Sequence, residues 1–133
     1  MEKYASYEGI VESWGYEVID WETFGDYQGD HLVLLRDGEQ WGFVSIGYGS
    51  CSGCDALEDV RPWCHHYGED AKCTCDFSGV QALSDELRDS VRWNTAAGLA
   101  EFFTSEVAAR QWYSFERGVR PKLEGWAERL RSA

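Results

Sequence analysis

Five cysteines, Cys51, Cys54, Cys64, Cys73 and Cys75, and the adjacent pair His65 and His66 fall within one 25-residue window, and the rest of the 133-residue chain holds no cysteine. Thiolates and imidazoles gathered in this way suit zinc, which takes four such ligands in a tetrahedron. Cys51-Ser-Gly-Cys54 is a common half-site, because a tight turn containing Gly53 lets both sulfurs converge on one ion. The expected second half is Cys73 and Cys75, with Cys64, His65 or His66 as substitutes. An odd number of thiols in a chain read as cytosolic argues against a disulfide framework. Two other readings compete: a buried pair of small residues in a turn, and a redox pair whose thiolate is stabilised at a helix start. The redox reading is weakened by the preceding strand, which is a hairpin arm rather than part of a βαβ unit, and by Asp55 beside Cys54. No H-E-x-x-H spacing and no deaminase-type order of His-x-Glu before Pro-Cys-x-x-Cys occurs, so the metal expected here is structural, not catalytic.

Charge is the second chemical signal. The net charge of −12 belongs to residues 1–76, where 16 Asp and Glu face only Lys3, Arg36, Arg61 and Lys72, whereas residues 77–133 balance eight acids with eight bases. Such a surface repels nucleic-acid backbones and favours a basic protein partner, with no direct nucleic-acid binding. Asp20, Glu22, Asp26 and Asp30, interleaved with Trp21, Phe24 and Tyr27, form the candidate partner-binding set; the bland alternative is an acidic loop that keeps the chain in solution. Arg110, Arg117, Arg120 and Lys122, mixed with Trp112, Tyr113 and Phe115, could stack on bases, but the pattern reads first as a helix with a core stripe and a solvated face. His31, alone at a strand start, reads as a surface or edge residue. No phosphate-binding glycine loop is present.

These residues need elements to hold them. Residues 3–14 read as a short helix ending before Gly15, and Tyr16 to Glu22 as a strand. Asp37-Gly38 between Leu32–Arg36 and Glu39–Ile46 predicts a two-residue hairpin turn. Counting outwards from that turn pairs Leu34 with Trp41 and Leu32 with Phe43 on one face and leaves Val33, Leu35, Val44 and Ile46 on the other. With both faces apolar, helices are expected over at least one of them. Asp55 to Val60 reads as a short helix stopped by Pro62, and residues 61–76 as a long connection held by the cysteines. Ser78 to Gln81 fits a capping box for a helix carrying Val80, Leu83, Leu87 and Val91. A second helix from Asn94 or Thr95 carries Leu99, Phe102 and Phe103, and a further helical stretch covers 105–117. Pro121 begins a last helix with the stripe Leu123, Trp126, Ala127 and Leu130. The expected fold is α+β in a single domain, 1–133, with an acidic sheet and cysteine-rich part over 1–76 and a helical part over 77–133.

Tyr27-Gln-Gly-Asp30, Trp41-Gly-Phe43 and the run Gly47-Tyr-Gly-Ser-Cys-Ser-Gly-Cys-Asp-Ala-Leu-Glu58, with Val91-Arg-Trp93 downstream, resemble a group of small uncharacterised proteins of bacteriophages and actinobacteria. The resemblance covers residues 20–105 and implies a phage or mobile-element origin; it brings no activity with it.

Two classes of function follow. The first is a phage-encoded binding protein, in the host cytosol, that engages a basic surface of a host protein as a nucleic-acid-mimicking inhibitor of a defence system. The second is a metal- or thiol-dependent enzyme or small-ligand binder using the Cys/His cluster. The absence of a complete catalytic constellation places the enzyme second. The longest apolar runs, such as Leu32 to Leu35, are too short to cross a bilayer.

Overall fold

A computed structural model of the chain describes residues 6–25, 29–49, 55–60, 77–110 and 118–133. Among them, strands β1 (Glu17–Gly25), β2 (Gly29–Asp37), β3 (Gln40–Tyr48) and β4 (Arg92–Asn94) form one antiparallel sheet in the order β1-β2-β3-β4. The helices are α1 (Tyr7–Ser13), α2 (Ala56–Val60), α3 (Ser78–Asp89), α4 (Ala96–Phe103), α5 (Glu106–Ala108) and α6 (Val119–Arg131). The α+β reading holds at this level.

Side chains alternate across a strand. Leu32, Leu34, Trp41 and Phe43 therefore face α4 and α6, where Leu99, Phe103, Leu123 and Trp126 complete one core. Val33, Leu35, Val44 and Ile46 face α1, α2 and α3, where Ile10, Val11, Leu57 and Val80 complete a second. The sheet is thus covered on both sides, and its central strands are apolar on both sides for that reason.

The hairpin turn differs from the expected one. Asp37 pairs with Gln40, so the turn residues are Gly38 and Glu39, and Leu34 lies opposite Phe43 rather than Trp41. Gly38 has φ +62°, whereas no non-glycine among the described residues has positive φ. Positive φ at the first turn position alone is the requirement of a type II′ turn, which glycine meets without a Cβ clash. The register moves by two residues in the pairing, an even step, so the face assignments survive.

The short strand β4 was not anticipated. Arg92 pairs with Phe43, Trp93 with Gly42 and Asn94 with Trp41, and Val91, expected on the stripe of α3, is buried just beyond the Ser90 cap. Gly42 makes this pairing possible: a Cβ there would lie 2.9 Å from two Trp93 ring carbons and from Val91 Cγ1. The expected capping box at Ser78 is also corrected. Ser78 is already helical, Phe77 is the cap residue with no side-chain capping bond, and Gln81 Nε2 donates to Asp85 instead. The helix expected to begin at Asn94 or Thr95 begins at Ala96, with Thr95 as its cap, Oγ1 accepting from Gly98 N at 3.1 Å, and Asn94 belongs to β4. Of the helical stretch expected over 105–117, α5 is present, and 111–117, with Trp112, Tyr113, Phe115 and Arg117, lie outside the described residues. No described helix is long and apolar enough to cross a membrane.

The two layers differ in charge. The α1–α3 layer exposes Glu8, Glu12, Glu58, Asp59, Glu86 and Asp89 with Arg88, whereas α6 mixes Glu124 and Glu128 with Arg120, Arg129 and Arg131.

Candidate functional site

Strand β1 carries the acids singled out from the sequence, and a bulge decides where they point. The register skips one residue between Val18 and Asp20. A bulge sets two residues against one on the partner strand. Ile19 and Asp20 consequently both serve the α6 side: Ile19 packs against that core, and Asp20 reaches Trp126. Regular alternation then resumes, with Glu22 and Phe24 on the α6 side and Trp21 and Thr23 on the α1 side.

Asp20 is a brace inside the fold. Its Oδ2 accepts from Trp126 Nε1 at 2.8 Å and from Lys122 Nζ at 2.7 Å, and its Oδ1 accepts from the Trp21 backbone N–H at 2.8 Å. Burial by itself would raise its carboxyl; the bonds from Lys122, Trp126 and Trp21 hold it below the ordinary carboxylate value. The Lys122 ammonium is raised, first by Asp20, and it also lies 3.4 Å from Glu22. Asp30 stands directly across from Phe24 on the same face. Its carboxyl is raised by burial, with His31 opposing that shift. An open groove of about 610 Å³ runs beside these groups, lined by Glu22, Phe24, Gly118, Pro121 and Lys122.

On the other face, His31 sits within aromatic rings rather than at a bare edge, which corrects the sequence reading. Its ring stacks on Tyr48 at 4.6 Å and lies 5.3 Å from Trp21 and 5.6 Å from Tyr7. Its place on β2, one strand in from the sheet edge, brings these neighbours to it. Trp21 Nε1 donates to Thr23 Oγ1 at 3.3 Å, and Thr23 Oγ1 is 2.8 Å from His31 Nδ1. An indole can only donate, so Thr23 Oγ1 accepts from Trp21, and its second lone pair or its own hydrogen serves Nδ1 according to the His31 tautomer. Burial lowers the His31 pKa, with Glu8, Asp55 and Asp30 opposing.

Asp55 closes this side. Its Oδ1 accepts from the Tyr7 hydroxyl at 2.6 Å and from Leu57 N at 2.9 Å, and its Oδ2 accepts from Gly49 N at 2.9 Å. Burial would raise the Asp55 carboxyl, but the bonds from Tyr7, Gly49, Glu58 and Leu57 bring it below its ordinary value. The Tyr7 phenol is raised, first by burial and then by Asp55. Within the Gly47–Asp55 motif, Gly49 is therefore tied to Asp55 by that carboxylate.

The structural zinc expected at Cys51, Cys54, Cys73 and Cys75 is corrected. Among the described residues, no group of three or more His, Cys, Asp or Glu side chains is placed to hold a metal ion, and those four cysteines, with Cys64, His65 and His66, lie outside the described residues. Donor spacing along a chain records which ligand types are near in sequence; a metal site needs them to converge on one point. Of the acidic set, Asp20, Glu22 and Asp30 come together on one face, with Asp20 committed to internal bonds, and Asp26 lies outside the described residues. Sequence reasoning missed Lys122 and Trp126 as partners of β1, and Tyr7, Tyr48 and Asp55 as the frame around His31. The one available signal was Asp55 at the end of the glycine- and cysteine-rich motif, just before a short helix, where an N-terminal carboxylate has a local role.

No protein-family model, curated protein or solved structure matches this chain.

Proposed function

We propose that the chain is a small acidic binding protein, of phage or mobile-element origin, that engages a basic surface of a host protein as a nucleic-acid mimic acting on a defence system. The observation that carries this reading is the one-sided charge: the α1–α3 layer exposes six acids, Glu8, Glu12, Glu58, Asp59, Glu86 and Asp89, with Arg88. Charge of one sign held on packed elements speeds encounter with an oppositely charged partner and fixes its orientation. The test is capture from a host lysate, identification of the bound protein, and competition for it with a nucleic-acid fragment. Binding should weaken as salt rises, and charge reversal at Glu12, Glu58 or Glu86 of that layer should slow association, with reversals at Arg117 and Arg120 mattering less. Salt-insensitive binding, or a captured protein indifferent to nucleic acid, would remove the mimic reading.

A second reading, a thiol-dependent enzyme or small-ligand binder, is favoured by one observation. His31 stacks on Tyr48, and the chain passes from Tyr48 into the segment that carries Cys51 and Cys54. Turnover of a thiol ester or disulfide, lost in Cys54→Ala while the fold survives, would put this reading first.

A further inference from the structure

We infer that a basic amphipathic helix of the partner docks beside α1 on the α1 side of β1, seating its apolar side chains on Val18 and Trp21 and aligning its cationic ones with Glu8 and Glu12. This rests on the reading of the chain as an acidic binding protein and names the surface and the kind of segment it takes.

The sheet is covered unevenly on this side. Leu35 and Val33 of β2 are fully buried, yet Val18, which stands across from Leu35 on the same face, is 39% exposed. Trp21, across from Val33, is half-buried, and so is Tyr16, which closes the upper end of the stripe against Trp93 at 4.8 Å. Half-buried rings flanking an exposed aliphatic side chain have the make-up of an interface anchor. The anchor is also preformed. Trp21 Nε1 donates to Thr23 Oγ1, and its ring lies 5.3 Å from that of His31, so little side-chain freedom remains to be lost on binding.

Charge and shape name the occupant. With Ile10 and Val11 turned inward, the exposed Glu8 and Glu12, one turn apart, share a flank of α1. Glu8 acts electrostatically on His31, whose ring rests against Trp21, so this flank runs beside the stripe. No ion pair among the described residues engages either acid. A cationic partner is thereby selected over a second copy of this chain of net charge −12, whose own acids would be brought together. A helix packs roughly 8–10 Å from its neighbour, about two strand spacings, so one laid beside α1 comes down on β1. Strand addition at the edge is disfavoured, because the bulge between Val18 and Asp20 interrupts it and Asp20 Oδ1 takes the Trp21 N–H.

The test is an NMR titration of the labelled full chain with a helical peptide of about four turns, lysines on one flank and leucines on the other, and separately with a peptide in which serines replace the leucines. Shifts should concentrate at Glu8, Glu12, Val18 and the Trp21 indole N–H, and the leucine peptide should bind at least fivefold more tightly. Val18→Ser should weaken it at least threefold. The double variant Glu8→Gln, Glu12→Gln should do the same and decides the matter should the first disturb the sheet. Glu128→Gln, on the opposite layer, should change binding less than twofold. Equal affinity for the two peptides, no binding of either, or an unaffected Val18→Ser would overturn the assignment. A dimer in sedimentation that Val18→Ser breaks would overturn it as well, making a second copy the occupant. Shifts gathered at Glu58, Asp59, Glu86 and Asp89 with the Trp21 indole silent would refute this face alone; the acidic reading stands or falls separately, on the salt dependence of lysate capture.

Discussion

Replacing Asp20 should damage the fold rather than a binding surface. Asp20→Ala removes the acceptor of the Trp126 indole N–H, and Trp126 is only 3% exposed. Leaving a buried donor without its acceptor costs about 1–3 kcal/mol. The Lys122 pair is about a third exposed, at 29% and 31% for its two side chains, so solvent screening limits its share to about 0.5–1 kcal/mol. The bond from Trp21 N–H adds up to about 1 kcal/mol. The expected loss for Asp20→Ala is therefore about 2–4 kcal/mol, a fall in melting temperature of roughly 10 °C for a chain of this size. Asp20→Asn keeps an acceptor for Trp126 and loses the charge, and should cost about 1 kcal/mol. Urea unfolding followed by Trp fluorescence, with thermal melts at pH 7 and pH 3, measures both. Because the folded-state carboxyl is held below its ordinary value, its contribution is present above that value and is lost as pH falls through the folded one. The gap between wild type and Asp20→Asn should accordingly be full at pH 7 and narrow at pH 3. An Asp20→Ala variant within about 0.5 kcal/mol of wild type, well under that unpaired-donor cost, would refute the brace.

Gly42→Ala should destabilise by about 1–3 kcal/mol, the usual cost of an overpacked core, and alter the near-ultraviolet dichroism of the tryptophans. The new Cβ would press on Trp93 and Val91 at 2.9 Å, and unchanged stability would deny the seat of β4 on β3. For His31, burial lowers the folded-state pKa below its ordinary 6.5, so the folded state binds fewer protons than the unfolded state in the window below 6.5. Stability should fall as pH drops through that window. His31→Phe, which keeps a ring against Tyr48, should flatten the profile between pH 7 and pH 5; an unchanged slope would assign the effect elsewhere.

The alternation through Leu32–Leu35 and Trp41–Ile46 was sufficient to place both central strands and both faces of the sheet, because which face a side chain takes depends only on odd or even position. Helical spacing likewise located α3, α4 and α6, since their apolar stripes are local patterns. The turn position was legible only to within a residue: Asp-Gly and Gly-Glu turns both use Gly38, and the pairing of Asp37 with Gln40 chose between them. Strand β4, three residues long, has too few positions to show a period, and its identity comes from Gly42 receiving Trp93. The acids of β1 were visible as charges, but their separate fates were not. Asp20 meets an indole 106 residues away, while Glu22 and Asp30 line one face with less compensation. The surroundings of His31 were equally hidden, because Tyr7, Trp21 and Tyr48 come from three different elements. Local periodicity is a property of neighbouring residues along the chain, and partners brought together by a two-faced sheet leave no trace in it.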